Sequence, residues 1–275
     1  MAANSRPAPV AIDDPADPRL APYAAMRERD LVGRAGRFIV EGEVTLRVML
    51  SARARFGLES VLLAPERLAG LEAALARLPE RVPVYTAAKP VMSAITGFPI
   101  HRGVLGVGLR GGEAADDARP RLPPAPAPAL VVGLVGLTNH DNVGGLFRNA
   151  AAFGADAVLL DAATCDPLYR KAIRVSAGAA LIVPFLQLAD ADALLAFAAR
   201  HALEPLALSP GGAETLGTLT PPARTLLLLG SEGPGLPPDL MARLRTVRIA
   251  MAPEFDSLNV ATAGAIALHH LSRAA

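Results

Sequence analysis

Three segments of the 275-residue chain combine a freely bending backbone with amide, hydroxyl and carboxylate side chains, and each follows an apolar run that reads as a strand. After Leu130–Gly136 comes Leu137-Thr138-Asn139-His140-Asp141-Asn142-Val143-Gly144-Gly145-Leu146-Phe147-Arg148. Thr225–Leu229 leads into Gly230-Ser231-Glu232-Gly233-Pro234-Gly235-Leu236, and Val247–Ala250 into Met251-Ala252-Pro253-Glu254-Phe255-Asp256-Ser257-Leu258-Asn259-Val260. In open α/β sheets ligands bind beyond the carboxyl ends of strands, so these loops are the places to look for a site. Glycine admits close approach of a ligand to backbone, and Asn142, Glu232, Ser257 and Asn259 supply polar contacts around the fixed positive charge of Arg148. No strong base stands out, so the chemistry these residues suit is positioning and electrostatic stabilisation. Each loop also has a plain local reading. Asn142 and Ser257 suit helix N-caps, Gly233-Pro234-Gly235 suits a turn, and Arg148 suits a solvated helix face.

The elements that must position these loops alternate along the chain. Before residue 112, strands are expected at Arg37–Val40, Ser60–Leu63, Val82–Tyr85 and Gly106–Leu109, with helices at Glu43–Ala54 and Pro65–Leu78 and a helical turn near Lys89–Ile95. After residue 128, strands are expected at Leu130–Val135, Ala157–Leu160, Leu181–Phe185, Pro205–Leu208, Thr225–Leu229 and Val247–Ala250. Helices fall between and after them at Val143–Phe153, Leu168–Ser176, Ala191–His201, Pro238–Leu244 and Leu258–Leu271. Strands without a polar face suit a parallel sheet covered on both sides, so the fold class is α/β. Between the two halves, Glu113–Pro128 carries Pro120, Pro123, Pro124, Pro126 and Pro128, which favours an extended connector. The expected organisation is an N-terminal extension and smaller α/β domain over 1–112, a Pro-rich linker over 113–128 and a C-terminal domain over 129–275.

Composition narrows the function classes. Hydrophobic residues make up 52% and charged residues 19%, which fits a globular chain. A single cysteine, Cys165, excludes an internal disulfide, and five scattered histidines without a C-x-x-C pair leave a metal site without ligands. The first thirty residues carry Asp13, Asp14, Asp17, Glu28 and Asp30 and lack an apolar segment, and the apolar run Ala129–Thr138 is about half of what a membrane helix needs, so a cytoplasmic protein with no membrane partner is expected. Residues 1–112 hold 15 basic and 11 acidic groups, and 113–275 hold 12 and 15. All but Lys89 and Lys171 of the 27 basic residues are arginine, whose planar fork suits phosphate, although compositional bias explains that equally well. A dinucleotide-binding oxidoreductase is disfavoured, because Gly133-Leu134-Val135-Gly136 lacks the third glycine at the required spacing.

Taken together, the three loops resemble the signature motifs of the SpoU-type (TrmH-like) RNA ribose 2′-O-methyltransferases of the SPOUT superfamily, in the same order. The first is Asn142-x-Gly144-x-x-x-Arg148, with Ala150 and Phe153-Gly154-Ala155 behind it. The second is Leu229-Gly230-Ser231-Glu232-Gly233-x-Gly235-Leu236, and the third is Ile249-x-Met251 followed by Ser257-Leu258-Asn259-Val260. The N-terminal module, notably Phe38-Ile39-Val40-Glu41-Gly42 and its following helix, is similar to the substrate-binding domain that many such enzymes carry, so the resemblance spans nearly the whole chain. Asn149, Ala250 and Pro253 depart from the family pattern, where threonine, proline and glycine are common.

The resemblance implies a parallel-sheet SPOUT methyltransferase domain with a deep trefoil knot, preceded by a smaller α/β substrate-binding domain. It implies S-adenosylmethionine as cofactor, met by the backbone at Gly230, Ile249 and Leu258, and no metal. It also implies transfer of a methyl group to a ribose 2′-hydroxyl of ribosomal or transfer RNA, with Arg148, Asn142, Glu232, Ser257 and Asn259 as the catalytic set. Within that set Ser257 is expected to cap the last helix and Asn259 to orient a polar partner. A homodimer through the C-terminal domain is expected, with the small-residue helix Ala261, Ala263, Gly264, Ala265, Ala267 either at that interface or packed on its own sheet. Arg27, Arg29, Arg34 and Arg37, and the cluster Arg170, Lys171 and Arg174, suit RNA contact or a solvated surface equally. The rival is a noncatalytic RNA-binding protein that retains the fold.

Overall fold

The computed structural model describes residues 8–24, 36–111 and 120–272, arranged in two compact units. Arg27, Arg29, Arg34 and the first part of the Pro-rich linker lie outside the described residues.

The first unit carries a five-stranded sheet in the order β1-β4-β3-β5-β2. Its elements are β1 (Val10–Ala11), a 3-10 turn (Pro18–Tyr23), β2 (Arg37–Glu41), α1 (Glu43–Met49), β3 (Gly57–Leu63), α2 (Leu68–Leu75), β4 (Val84–Thr86), α3 (Lys89–Thr96) and β5 (Val104–Leu109). β5 runs antiparallel to both β2 and β3, while β3, β4 and β1 are parallel. The α/β pattern follows the sequence closely, with two differences. α1 stops at Met49, short of the expected Ala54, and the Pro65 helix begins as a separate 3-10 turn, Pro65–Arg67. β1 and the turn after it went unread, because two strand residues and a proline-bounded turn carry no periodicity. They nevertheless enclose core: Leu20 and Tyr23 are buried, and the Tyr23 hydroxyl shares a 2.8 Å hydrogen bond with Ser60.

The second unit carries a seven-stranded sheet in the order β10-β12-β9-β11-β6-β7-β8, every pair parallel. The chain runs β6 (Ala129–Val135), α4 (His140–Ala152), β7 (Ala157–Leu160), α5 (Arg170–Val175), β8 (Phe185–Gln187), α6 (Ala191–Arg200), β9 (Glu204–Leu208), β10 (Glu214–Thr215), β11 (Arg224–Gly230), α7 (Pro238–Met241), β12 (Arg245–Arg248) and α8 (Val260–Leu271). All seven residues of β6 and of β11 are buried, as expected of central strands covered on both faces. The expected strand Leu181–Phe185 forms later: Ala179–Leu181 is a 3-10 turn after the left-handed Gly178, and the strand begins at Phe185. From β6 the chain moves outward through β7 to β8, then crosses to the opposite side and inserts β11 beside β6. This reversal of strand order is the switch point where α/β sheets hold ligands.

Two segments differ from the expected domain plan. Residues Leu168–Ile182, read in sequence as part of the C-terminal half, cluster with the first unit. α5 buries Ala172 and Ile173, and its Arg170 guanidinium reaches Glu41 at the end of β2 at 2.8 Å while lying 4.3 Å from the centre of the Phe98 ring. Arg170 is thus drawn into structure, whereas Lys171 and Arg174 are exposed. The end of the Pro-rich stretch is anchored as well. The buried Arg224 guanidinium donates to the Pro123 carbonyl at 3.1 Å and to that of Ala127, and also holds the His201 carbonyl at 2.9 Å. Among the described residues no helix is long and apolar enough to cross a membrane.

Candidate functional site

The carboxyl ends of β6 and β11 lie side by side, with Leu229 opposite Leu134 and Gly230 opposite Val135. The first two loops therefore leave the sheet together. Gly136, at φ +70°, turns the chain out of β6, and its N–H donates to both oxygens of Asp161 at 3.1 Å. Asp161 is buried and accepts further bonds from the Thr164 N–H at 2.8 Å and hydroxyl at 2.6 Å. The Leu137 N–H in turn donates to the Thr164 hydroxyl at 3.2 Å. A buried carboxylate with this many donors is a strong fixing point for the loop that leads into α4. Sequence reading missed Asp161 and Thr164; the signal was an Asp at the end of an apolar strand with a hydroxyl three residues on.

α4 begins earlier than its apolar pattern indicates. Asn139 is the N-cap, accepting from the Asp141 N–H at 2.9 Å. Asn142 is therefore inside the first turn, and its buried side chain is free to reach across. Its Nδ2 donates to Glu232 Oε1, and its Oδ1 accepts from Asn259 Nδ2 at 2.8 Å. The capping role expected of Ser257 also falls elsewhere. Asn259 caps α8, its Oδ1 accepting from the N–H groups of Ala261 at 2.9 Å and Thr262 at 3.2 Å. Asn259 thus spends its oxygen on the helix and its nitrogen on Asn142. This Glu232–Asn142–Asn259 chain joins one residue from each of the three loops.

Beside the chain lies a cavity of about 370 Å³. Gly230, Glu232, Ile249, Ser257, Leu258 and Asn259 all line it, as do Leu229 and Met251. Leu208, Ser209 and Pro210 close another side; they follow β9, whose short Ser-Pro-Gly-Gly exit was not singled out in sequence. Gly230 has a more specific reason to be glycine than ligand approach. A Cβ there would sit 2.2 Å from the Leu236 nitrogen and 2.3 Å from the Gly235 carbonyl carbon, because the loop folds back through a Ser231–Gly235 bridge. Pro253 is accommodated without loss. The Ala252–Phe255 turn is closed by the Phe255 N–H on the Ala252 carbonyl at 3.0 Å, and proline occupies the second position, where its fixed φ suits and no N–H is used.

Arg148 is not among the residues lining the cavity. It is exposed on α4, so within one chain Asn142, Glu232, Ser257 and Asn259 do not gather around its charge as the sequence leads one to expect. A flanking side of α4 is committed to α8. A Cβ on Gly145 would lie 2.9 Å from that of Ala261, and one on Gly264 would lie 2.4 Å from Leu146 and 3.2 Å from Leu229. Asn149, at a position where threonine was expected, donates from Nδ2 to the Ala261 carbonyl at 2.8 Å. Small residues of α8 therefore serve this crossing, while Thr262, Ile266 and His269 remain exposed. The Cys165 thiol is half-buried in the loop after β7, and burial together with the Asp166 charge pushes its pKa up to about 11.

Known proteins give this arrangement a context. Residues 129–269 match the model of the SpoU rRNA Methylase family. An uncharacterized tRNA/rRNA methyltransferase of Mycobacterium bovis is 37% identical over 94% of this chain and 90% of its own length. Among solved structures, an AdoMet-bound rRNA methyltransferase from Sinorhizobium meliloti superimposes with a TM-score of 0.77 at 22% identity, covering 96% of this chain and 97% of that one. An RNA 2′-O ribose methyltransferase does so with a TM-score of 0.74 at 24% identity, over 96% and 99%. At these identities the structural likeness is one of fold. The family match over half the chain and the relative that aligns along nearly all of it lead to one conclusion: the chain belongs to the SpoU rRNA Methylase family, a family of RNA methyltransferases.

Proposed function

We propose that this protein transfers the methyl group of S-adenosylmethionine to a ribose 2′-hydroxyl of ribosomal or transfer RNA. The observation that carries the reading is the hydrogen-bonded chain Glu232–Asn142–Asn259 standing at the edge of a cavity built by the same three loops. About 370 Å³ is in the size range of small-molecule sites. Its walls suit the cofactor: Leu229, Ile249, Met251 and Leu258 offer apolar contact for an adenine ring, backbone groups at Gly230, Ile249 and Leu258 can read its edge, and Glu232 offers a carboxylate to a cation. The bound cofactor supplies an electrophilic methyl group on a sulfonium. A C-terminal trefoil knot and a separate substrate-binding role for the first unit belong to the same reading.

The chain's own groups divide the remaining work. Asn142 and Asn259, locked to each other, hold the polar rim in one geometry, and fixed geometry lowers the barrier of an in-line displacement. Glu232 fixes the second loop through Asn142. Ser257 offers a hydroxyl to the substrate ribose at the cavity wall. Arg148 offers a guanidinium cation, and its part is to stabilise negative charge as the 2′-hydroxyl loses its proton. Because Arg148 is exposed and off the cavity lining, a homodimer through the C-terminal domain, with residues of two copies at each site, completes the proposal. The exposed Ile266 on α8 is suited to such a contact. A cytoplasmic site of action belongs to the same reading.

The test is direct. Purified protein incubated with methyl-labelled S-adenosylmethionine and RNA from a strain lacking the gene should label RNA. Digestion to nucleosides should return the label as a 2′-O-methylated nucleoside. Label on a base would refute the ribose assignment, and binding of RNA without any transfer would favour the noncatalytic alternative.

A further inference from the structure

The chain has eight phenylalanines, three tyrosines and no tryptophan. Ten of these eleven rings are buried or half-buried, and Phe255 alone is 69% exposed. Exposure of one apolar side chain means little in itself. Its place is what counts: Phe255 stands between Met251 and Ser257, both of which line the cavity. The turn that presents it is closed by its own N–H on Ala252 and stiffened by Pro253, so little conformational freedom remains to be lost when something settles on the ring. Its sequence neighbours, Glu254 and Asp256, are exposed carboxylates. They repel phosphates, so a nucleic acid backbone is steered away from this turn, and within an RNA the part suited to the ring is the neutral face of a base.

We propose that Phe255 is the stacking platform for an unpaired base of the RNA, at or next to the nucleotide whose ribose enters the cavity. This rests on the RNA-methyltransferase reading above and adds to it a substrate-positioning residue and a class of target, a single-stranded or loop nucleotide. Proteins that recognise RNA by sequence splay such bases out and stack them on aromatic rings. Stacking tolerates any base, so Phe255 sets position, and the flanking carboxylates favour bases that present an exocyclic amine.

The experiment compares wild type, Phe255→Ala and Phe255→Trp in steady-state methyl transfer to total RNA from a strain lacking the gene. Cofactor affinity is measured by calorimetry with S-adenosylmethionine, and mass in solution by light scattering. Phe255→Ala should raise KM for RNA, lowering kcat/KM about 5- to 150-fold with unchanged cofactor affinity and mass. Phe255→Trp should restore KM to within a few-fold of wild type. The loss should not shrink as salt rises, unlike a phosphate contact. Unchanged KM in Phe255→Ala overturns the proposal. So does a loss that tracks weakened cofactor binding, or one that tracks dissociation into single chains, which would make the ring a contact between copies. If wild type itself methylates no RNA, the underlying reading fails and takes this one with it; the wild-type reaction alone tells these failures apart.

Discussion

Asn142 and Asn259 stand 117 residues apart in the chain and meet side chain to side chain, the Asn259 amide donating to the Asn142 carbonyl oxygen at 2.8 Å. The same Asn259 caps α8 with its oxygen. One side chain therefore couples the start of the last helix to the first turn of α4, and its two duties can be separated. Asn259→Ala should cost about 1 kcal/mol of stability through the lost cap. Asn259→Ser keeps a capping oxygen but has no amide to give Asn142, so it should fold nearly as well as wild type and still lose methyl transfer. Thermal unfolding beside the transfer assay checks this, and full activity in Asn259→Ser would show the Asn142 contact to be idle.

Arg148 is exposed, so its removal should change stability by less than about 0.5 kcal/mol. Methyl transfer by Arg148→Ala should nonetheless fall steeply. Arg148→Lys keeps the charge and loses the planar fork, and near-full activity there would rule out a specific guanidinium role.

At Gly230 the obstacle to a side chain is backbone, which cannot swing aside. Gly230→Ala should cost about 1–3 kcal/mol and weaken S-adenosylmethionine binding, since the loop must open to admit the methyl group. Gly217→Ala, where nothing lies within 4 Å, is the matched control and should leave both unchanged. Urea unfolding and calorimetry give the two readings.

Asp161 fixes the exit of β6 through the Gly136 N–H and both donors of Thr164. Asp161→Asn replaces an acceptor with an NH₂ among donors, and should destabilise by about 1.5–3 kcal/mol. The same variant should lower kcat, because the loop carries Asn142. An Asp161→Asn protein with wild-type urea midpoint would show the carboxylate to be dispensable.

Cys165 offers a pH experiment. Burial and the Asp166 charge stabilise the protonated thiol, raising its pKa to about 11, so the reactive thiolate is scarce at pH 8 and becomes abundant only as pH approaches 11. Alkylation by iodoacetamide at pH 8 should run about a hundredfold slower than for an ordinary free thiol, and urea should abolish the difference. Labelling in the native state as fast as in urea would contradict the burial.

Much of this molecule was legible in its residues. Uninterrupted apolar runs such as those of β6 and β11 announce buried parallel strands, because a strand with no polar face has no side to give to water. The family likeness rested on Asn142, Gly144 and Arg148, then Gly230 to Leu236, then Ser257 to Asn259, and the family match covers all three groups. What sequence could not decide was partnership. Asn142 reads as an N-cap candidate or a site residue and Asn259 as a residue that orients a polar partner, and only the sheet order that inserts β11 beside β6 brings Asn142 to Glu232 and Asn259. Capping depends on where a helix starts, to within one residue. Here the start is fixed by the Asn139 cap, on a chain that Asp161 and Thr164 anchor just past the neighbouring strand β7. Likewise α5 joins the first unit because Ala172 and Ile173 find their cover there and Arg170 finds Glu41. Periodicity fixes which face of an element is apolar, but long-range packing chooses what covers it.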